Sequence, residues 1–252
     1  MAPDTTPGSK GDIGDKIIAV RDKWHTKNHP LFTALAKGEL DIRVLGIHQA
    51  NHLKYVELAL EAFGILYARG PAEIRKMCVE NLAEEEGLLA QTEIGEEPHE
   101  HIDMLYNFCL AAGMTREEID QTKMTPAWWG RTLYYRHLAL VEPIGVVLAA
   151  FFTQEGQQPQ LNNEITIPAL TSHYGFERDS KAIEFFVAHE LADQEHSARQ
   201  LDMAKKFLGT PELDARALEC AEEICRLRWA SATDLYNLHH LGEAENLPVG
   251  VG

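Results

Sequence analysis

The stretch from Asp41 to Arg69 constrains the fold more than any other part of the chain. Val44, Ile47, Leu53, Val56, Leu60, Phe63 and Leu66 recur at helical spacing along it, and Gly70-Pro71 closes it. An apolar stripe of that length buries itself only against other helices or a sheet. No strand signal accompanies it: the chain has no run of alternating β-branched residues, no Asn-Gly hairpin signal and no internal repeat. The pattern predicts an all-α, single-domain helical bundle.

The rest of the chain follows the same reading. Ile13 to Lys27 and Pro30 to Lys37 form a helix broken at His29-Pro30. A helix is expected from Pro71 to about Gln91, a shorter one from His101 to Ala112, and a capping box at Thr115–Glu118. Thr125-Pro126 opens a long helix to about Gln154, kinked at Pro143. Gly156 to Gly175 is irregular apart from a helical piece near Ile167 to His173, Asp179 to Leu208 is one helix, and Pro211 to Leu241 is the last. Residues 1–11 and 242–252 are expected to be flexible tails around a helical domain over 12–241.

At 252 residues the chain can bury a sizeable core without staples. Its net charge of −16 argues against nucleic acid and anionic membranes as partners. No apolar run reaches the roughly 18 residues of a membrane span, and the N-terminus carries no secretory h-region. Cys78, Cys109, Cys220 and Cys225 form no CxxC pair, which fits buried thiols in a reducing compartment. A cytoplasmic enzyme is expected.

The chemistry concentrates between Asp179 and Leu208. On a regular helix, with His189 at zero, Asp193 falls near 40° and His196 near 340°, an arc of about 60°. Two imidazoles and a carboxylate on one buried face suit iron, manganese or zinc. The same residues on a solvated face would be a polar stripe with no metal. Facing helices must supply further ligands. Glu155 ends an apolar segment. Glu84, Glu85 and Glu86 are consecutive, so at most one of them is expected to face the core squarely. His99 and His101 are further candidates.

Four segments together resemble the heme-oxygenase-like group that contains the pyrroloquinoline quinone synthase C family, the TenA-type thiaminases and the iron-dependent oxidases related to the chlamydial death-domain-associating protein. They are His29-Pro-Leu-Phe-Thr-Ala-Leu-Ala-Lys-Gly-Glu-Leu40, Asn81-Leu-Ala-Glu-Glu-Glu86, His101-Ile-Asp-Met-Leu-Tyr-Asn-Phe-Cys-Leu-Ala-Ala-Gly113 and the His-x3-Asp-x2-His of His189 to His196. The last is the most specific, and the similarity is closest to the iron-dependent oxidases. It implies a heme-oxygenase-like bundle with six metal ligands: Glu85, His101, Glu155, His189, Asp193 and His196.

That set implies two iron ions, with a mixed manganese–iron pair accepting the same ligands, and dioxygen as co-substrate. The implied activity is oxidation of a small amino-acid-like or fatty-acid-like molecule, with an external electron donor and a homodimeric assembly. The alternatives are a cofactor-biosynthesis oxidase of the pyrroloquinoline quinone or 4-aminobenzoate type, and a non-enzymatic helical interaction protein. Glu85 and His101 stand farther apart than in the relatives, so an insertion lies around Gln91 to His99, and the register to Phe108 and Gly113 favours His101 over His99. The position of the tyrosine that some relatives consume reads Phe32, and a lysine is missing in Asn163-Glu-Ile-Thr166, which disfavours a self-consuming 4-aminobenzoate synthase.

His48, His52 and Tyr55 share one face of the second long helix. By analogy with cofactor-free relatives, His52 and Tyr55 are expected to touch substrate. Arg136 is a candidate carboxylate anchor, with a salt bridge as its plainer role.

Overall fold

The structure is a computed structural model that describes residues 12–88, 100–189 and 192–243, with the backbone alone for 192–195. Among these residues every regular element is helical. The first is α1 (Ile13–Lys23), which leads through a 3-10 turn at Thr26–Asn28 into α2 (Pro30–Ala36). The break falls where a helix should stop: His29 precedes a proline, adopts extended backbone and accepts the Leu31 N–H on its ring nitrogen at 3.0 Å.

Next is α3 (Ile42–Arg69), capped by the Asp41 side chain. Its apolar stripe is buried as expected, with Ile47 and Leu60 packed at the edge of the core. Then come α4 (Ala72–Glu85), α5 (His101–Ala111) and the short α6 (Arg116–Asp120) with its capping box between Thr115 and Glu118.

The helix expected from Pro126 to Gln154 is two helices, α7 (Pro126–Val141) and α8 (Ile144–Glu155). Pro143 breaks the chain rather than kinking it, because Glu142 before it takes an extended ψ of 154°. The segment expected to be irregular is instead nearly continuous helix: α9 (Gln158–Leu161), a π turn at Asn162–Thr166 and α10 (Ile167–His173). Pro159 and Pro168 do not interrupt it, because each sits in the first turn of its helix, where no N–H is needed.

The helix expected from Asp179 to Leu208 is α11 (Glu184–Ala188) and α12 (Ala192–Phe207). It is interrupted at His189, whose φ of −79° and ψ of 5° leave the helix. Finally α13 (Pro211–Leu235) runs into a π turn at Tyr236–His240.

Helix α8 is the axis of the bundle. Every residue from Gly145 to Gln154 is buried, the mark of a helix wrapped on all sides. It packs against α12, α13, α7 and α1, while α3 packs against α4, α5 and α7. Gly145 is needed at its start, since a Cβ there would lie 2.8 Å from the Phe207 carbonyl carbon of α12. Phe151 sits between Tyr135 and Phe63, with ring centroids at 3.7 and 5.5 Å. Truncating so enclosed a ring to alanine costs about 3–5 kcal/mol. All four cysteines are buried and free, as expected.

Candidate metal centre

Helix ends, rather than one helix face, assemble the site. Glu85 is the last residue of α4, His101 the first of α5, Glu155 the last of α8, and His189 the residue after α11. One potential ligand atom from each of Glu85, His101 and His189 lies within 4.8 Å of the others, close enough for one ion to reach all three. Glu85 Oε2 and His101 Nδ1 are 2.7 Å apart, and the His101 and His189 rings meet at 4.4 Å in an edge arrangement. His99 lies outside the described residues, as does the expected insertion; His101 is the histidine brought to Glu85.

The His189 ring is held for this role. Its Nδ1 lies 2.6 Å from the Phe185 carbonyl, an acceptor, so this nitrogen carries the proton. That leaves Nε2 with its lone pair outward, the usual form of a ligating histidine. Burial, with the nearby His101 ring, pulls its pKa down to about 3, so the ring is neutral at ordinary pH. The same Phe185 carbonyl also accepts the His189 backbone N–H at 3.3 Å, at the point where the helix breaks. The break overturns the expectation that His189 and His196 share one face of a regular helix. The side chain of Asp193 lies outside the described residues.

A second cluster adjoins the first. His196 Nε2 lies 2.6 Å from Glu84 Oε2, and the Gln200 amide donates to the Glu155 carboxylate. Glu84 was not expected beside Glu85, since consecutive helical residues diverge by about 100°. Because α4 ends at Glu85, both side chains turn inward, one to His196 and one to His101. The signal for this was the acidic run itself.

Burial and mutual charge shift the titratable groups of the cluster. Burial, opposed by His196 and helped by the Glu85 charge, raises the Glu155 pKa to about 7. For Glu85 burial also acts upward, but His101, His189 and His196 outweigh it and hold the carboxyl below its ordinary value. Burial lowers the His196 pKa, and the Glu84 and Glu155 carboxylates more than reverse that. Both Glu85 and Glu155 sit at helix C-termini, where the backbone carbonyls disfavour a carboxylate and favour a cation. Carboxylates and imidazoles gathered in this way are a donor set of iron and manganese, so the residues fit such an ion.

The other expectations divide. The carboxylate of Glu142, at the break between α7 and α8, pairs with Arg216 at 2.6 Å. Arg136 pairs with Glu61 at 3.3 Å on the surface, its plainer role. His52 and Tyr55 are buried and line a cavity of about 80 Å³ together with Glu85, Glu155, His189 and His196. His48 and Phe32 line a smaller neighbouring cavity of about 20 Å³. Two residues there were missed, the buried Arg131 of α7 and Arg228 of α13, which line both cavities. For Arg131 a signal existed: it lies on the stripe of Trp128, Thr132, Tyr135 and Leu138, all buried.

A family model described as an iron-containing redox enzyme matches residues 48–229. A 4-aminobenzoate synthase of Chlamydia pneumoniae is 24% identical over 90% of this chain and 94% of its own length. One from Nitrosomonas europaea is 27% identical over 85% and 86%. Among solved structures, a domain with a heme oxygenase-like fold from Shewanella denitrificans superposes with a TM-score of 0.72 at 17% identity, over 93% of this chain and 96% of that one. A TenA homologue of Pseudomonas syringae gives 0.72 at 13% identity, over 94% and 98%. These likenesses show the heme-oxygenase-like fold. The relatives' names favour the 4-aminobenzoate alternative over the amino-acid-like or fatty-acid-like substrate expected first.

Proposed function

Because the chain belongs to the family of iron-containing redox enzymes, we propose that it is an oxygen-dependent di-iron oxidase that forms 4-aminobenzoate or a close aromatic analogue. The convergence of Glu85, His101 and His189 on one point carries the metal half of this reading. The names of the relatives support the product half.

In this reading Glu85, His101 and His189 hold one ion. Glu155 and His196 hold the second, with Glu84 and Asp193 as their further carboxylates. Iron, when bound, supplies one-electron redox chemistry and the activation of dioxygen. The chain's own residues prepare the site for it. Phe185 fixes the tautomer of His189 through its carbonyl. Gln200 steadies the Glu155 carboxylate by donating to it. Tyr55, Phe63 and Tyr135 wall the cavity beside these groups. The reading takes its electrons from an external donor or from the substrate.

Residue 32 is a phenylalanine, buried against His48, and has no phenol to give up. The ring of the product is therefore assigned to a small aromatic acid entering the cavity. Tyr55 and Tyr135 line that cavity, and intact-mass measurement of the protein after turnover separates a free substrate from loss of either ring.

The test is expression in a bacterial strain that requires 4-aminobenzoate, with mass-spectrometric detection of the product. Wild type should restore growth and His189→Ala should not. Absence of both growth and product from an iron-loaded wild type overturns the reading.

A further inference from the structure

Arg131 is a cation deep in the molecule, 3% exposed. Its Nε donates to Gln154 Oε1 at 3.2 Å, and its guanidinium lies over the Tyr55 ring at 4.1 Å and the Trp128 ring at 5.0 Å. Among the described residues no carboxylate stands within ion-pair distance of it. A buried charge without a nearby counter-charge costs several kcal/mol, so this guanidinium is expensive as it stands.

A second guanidinium approaches the same helix end. Arg228 of α13 donates from Nη1 to the Gln154 carbonyl at 2.6 Å and from Nη2 to Gln158 Oε1 at 2.9 Å. Gln154 thus anchors both arginines, one by its side chain and one by its backbone. Two fixed positive charges share one wall between two cavities.

Among the described residues, the titratable groups nearest Arg131 do not pair with it. Burial and the Arg131 charge push His48 down to about 3 and His52 well below its ordinary value, so both are neutral. Tyr55 is raised by burial and stays protonated. Glu85 and Glu155 line the larger cavity, but Glu85 is engaged with His101 and Glu155 with Gln200.

We infer that Arg131 and Arg228 form an anion subsite that takes the carboxylate of a small planar aromatic acid. The guanidinium fork matches a carboxylate edge-on, and its flat face is already stacked on aromatic rings. His52 and Phe185 line both cavities and offer ring faces to a flat ligand. Glu85, Glu155, His189 and His196 line only the larger cavity. A carboxylate held at the shared wall therefore presents the far end of its ring toward the metal ligands. This deepens the reading above and rests on it for the identity of the substrate, while the charge argument stands on the arginines alone.

The test is calorimetric titration of the purified protein with benzoate and with benzamide, its uncharged analogue of the same shape. Benzoate should bind wild type at least about tenfold more tightly than benzamide, as expected for a charge-assisted hydrogen bond. Arg131→Gln should lose that preference, and Arg131→Lys, which keeps the charge without the fork, should fall between. Equal binding of the two probes, no binding of benzoate, or a preference retained in Arg131→Gln overturns the proposal. If Arg131→Gln does not fold, the wild-type comparison and Arg131→Lys decide it. Iron content is measured in the same samples. A protein that takes up no iron but still prefers benzoate refutes the oxidase reading and leaves the anion subsite standing.

Discussion

Replacing Glu155 with glutamine should stabilise the metal-free protein while impairing its iron binding. The Glu155 pKa rises from an ordinary 4.5 to about 7, chiefly through burial and then through the Glu85 charge. Between those values the native state keeps a proton that the unfolded chain has released. The native state is therefore penalised progressively as pH rises from about 4.5 to 7, and the full penalty applies above 7. At ~1.36 kcal/mol per pH unit, the difference amounts to about 3 kcal/mol. A glutamine at 155 carries no charge to bury and keeps a carbonyl oxygen to accept the Gln200 amide.

Urea unfolding in the presence of a chelator should thus show Glu155→Gln about 3 kcal/mol more stable than wild type at pH 8 and only about 1 kcal/mol more stable at pH 5. In thermal unfolding the gain at pH 8 corresponds to about 6–12 °C for a domain of this size. Ferrous iron at about 100 times its dissociation constant should raise wild type by about 2.7 kcal/mol and the variant by less. A variant that is no more stable at pH 8, or that gains equally at pH 5 and pH 8, refutes the argument.

Anaerobic reconstitution with ferrous iron should load wild type with close to two ions per chain, and metal analysis of His189→Ala should show at least one lost. His101→Ala should lower iron content whereas His99→Ala should not; the reverse would show that the inserted segment had been placed on the wrong side of the ligand. Glu142→Ala should cost about 1–3 kcal/mol in urea unfolding by breaking the half-buried pair with Arg216, yet leave iron content unchanged. Acid should unfold the protein early: burial holds the pKa values of His25, His29 and His48 at about 3, 4 and 3, below their ordinary 6.5. The unfolded chain therefore takes up protons first, and the urea midpoint should fall steadily as pH drops from 6.5 to 4. A flat midpoint over that range would mean these rings are not buried.

What the sequence alone determined here is what depends on local spacing. The apolar stripe of α3, the Asp41 and Thr115 caps, the stop at His29-Pro30 and the all-helical class all follow from neighbours a few residues apart. The identities of the site residues were legible too, because carboxylates and histidines in a family pattern need no coordinates to be noticed. Their arrangement was not legible. Angular arithmetic placed His189 and His196 on one helix face, but the helix stops at His189, where its ring takes the Phe185 carbonyl. It also allowed only one of Glu84 and Glu85 to face inward, but α4 ends there and the two side chains reach different histidines.

Arg131 and Arg136 make the same point on one helix. They are five residues apart, about 140° around α7. One is exposed and paired with Glu61, and the other is buried over Tyr55. The physical reason is common to all these cases. A helix period assigns faces only while the helix continues, and where it ends, or which face a neighbouring helix covers, is decided by packing among segments far apart in the chain. Here those segments are α4, α5, α8, α11 and α12, whose ends meet only when the bundle closes around α8.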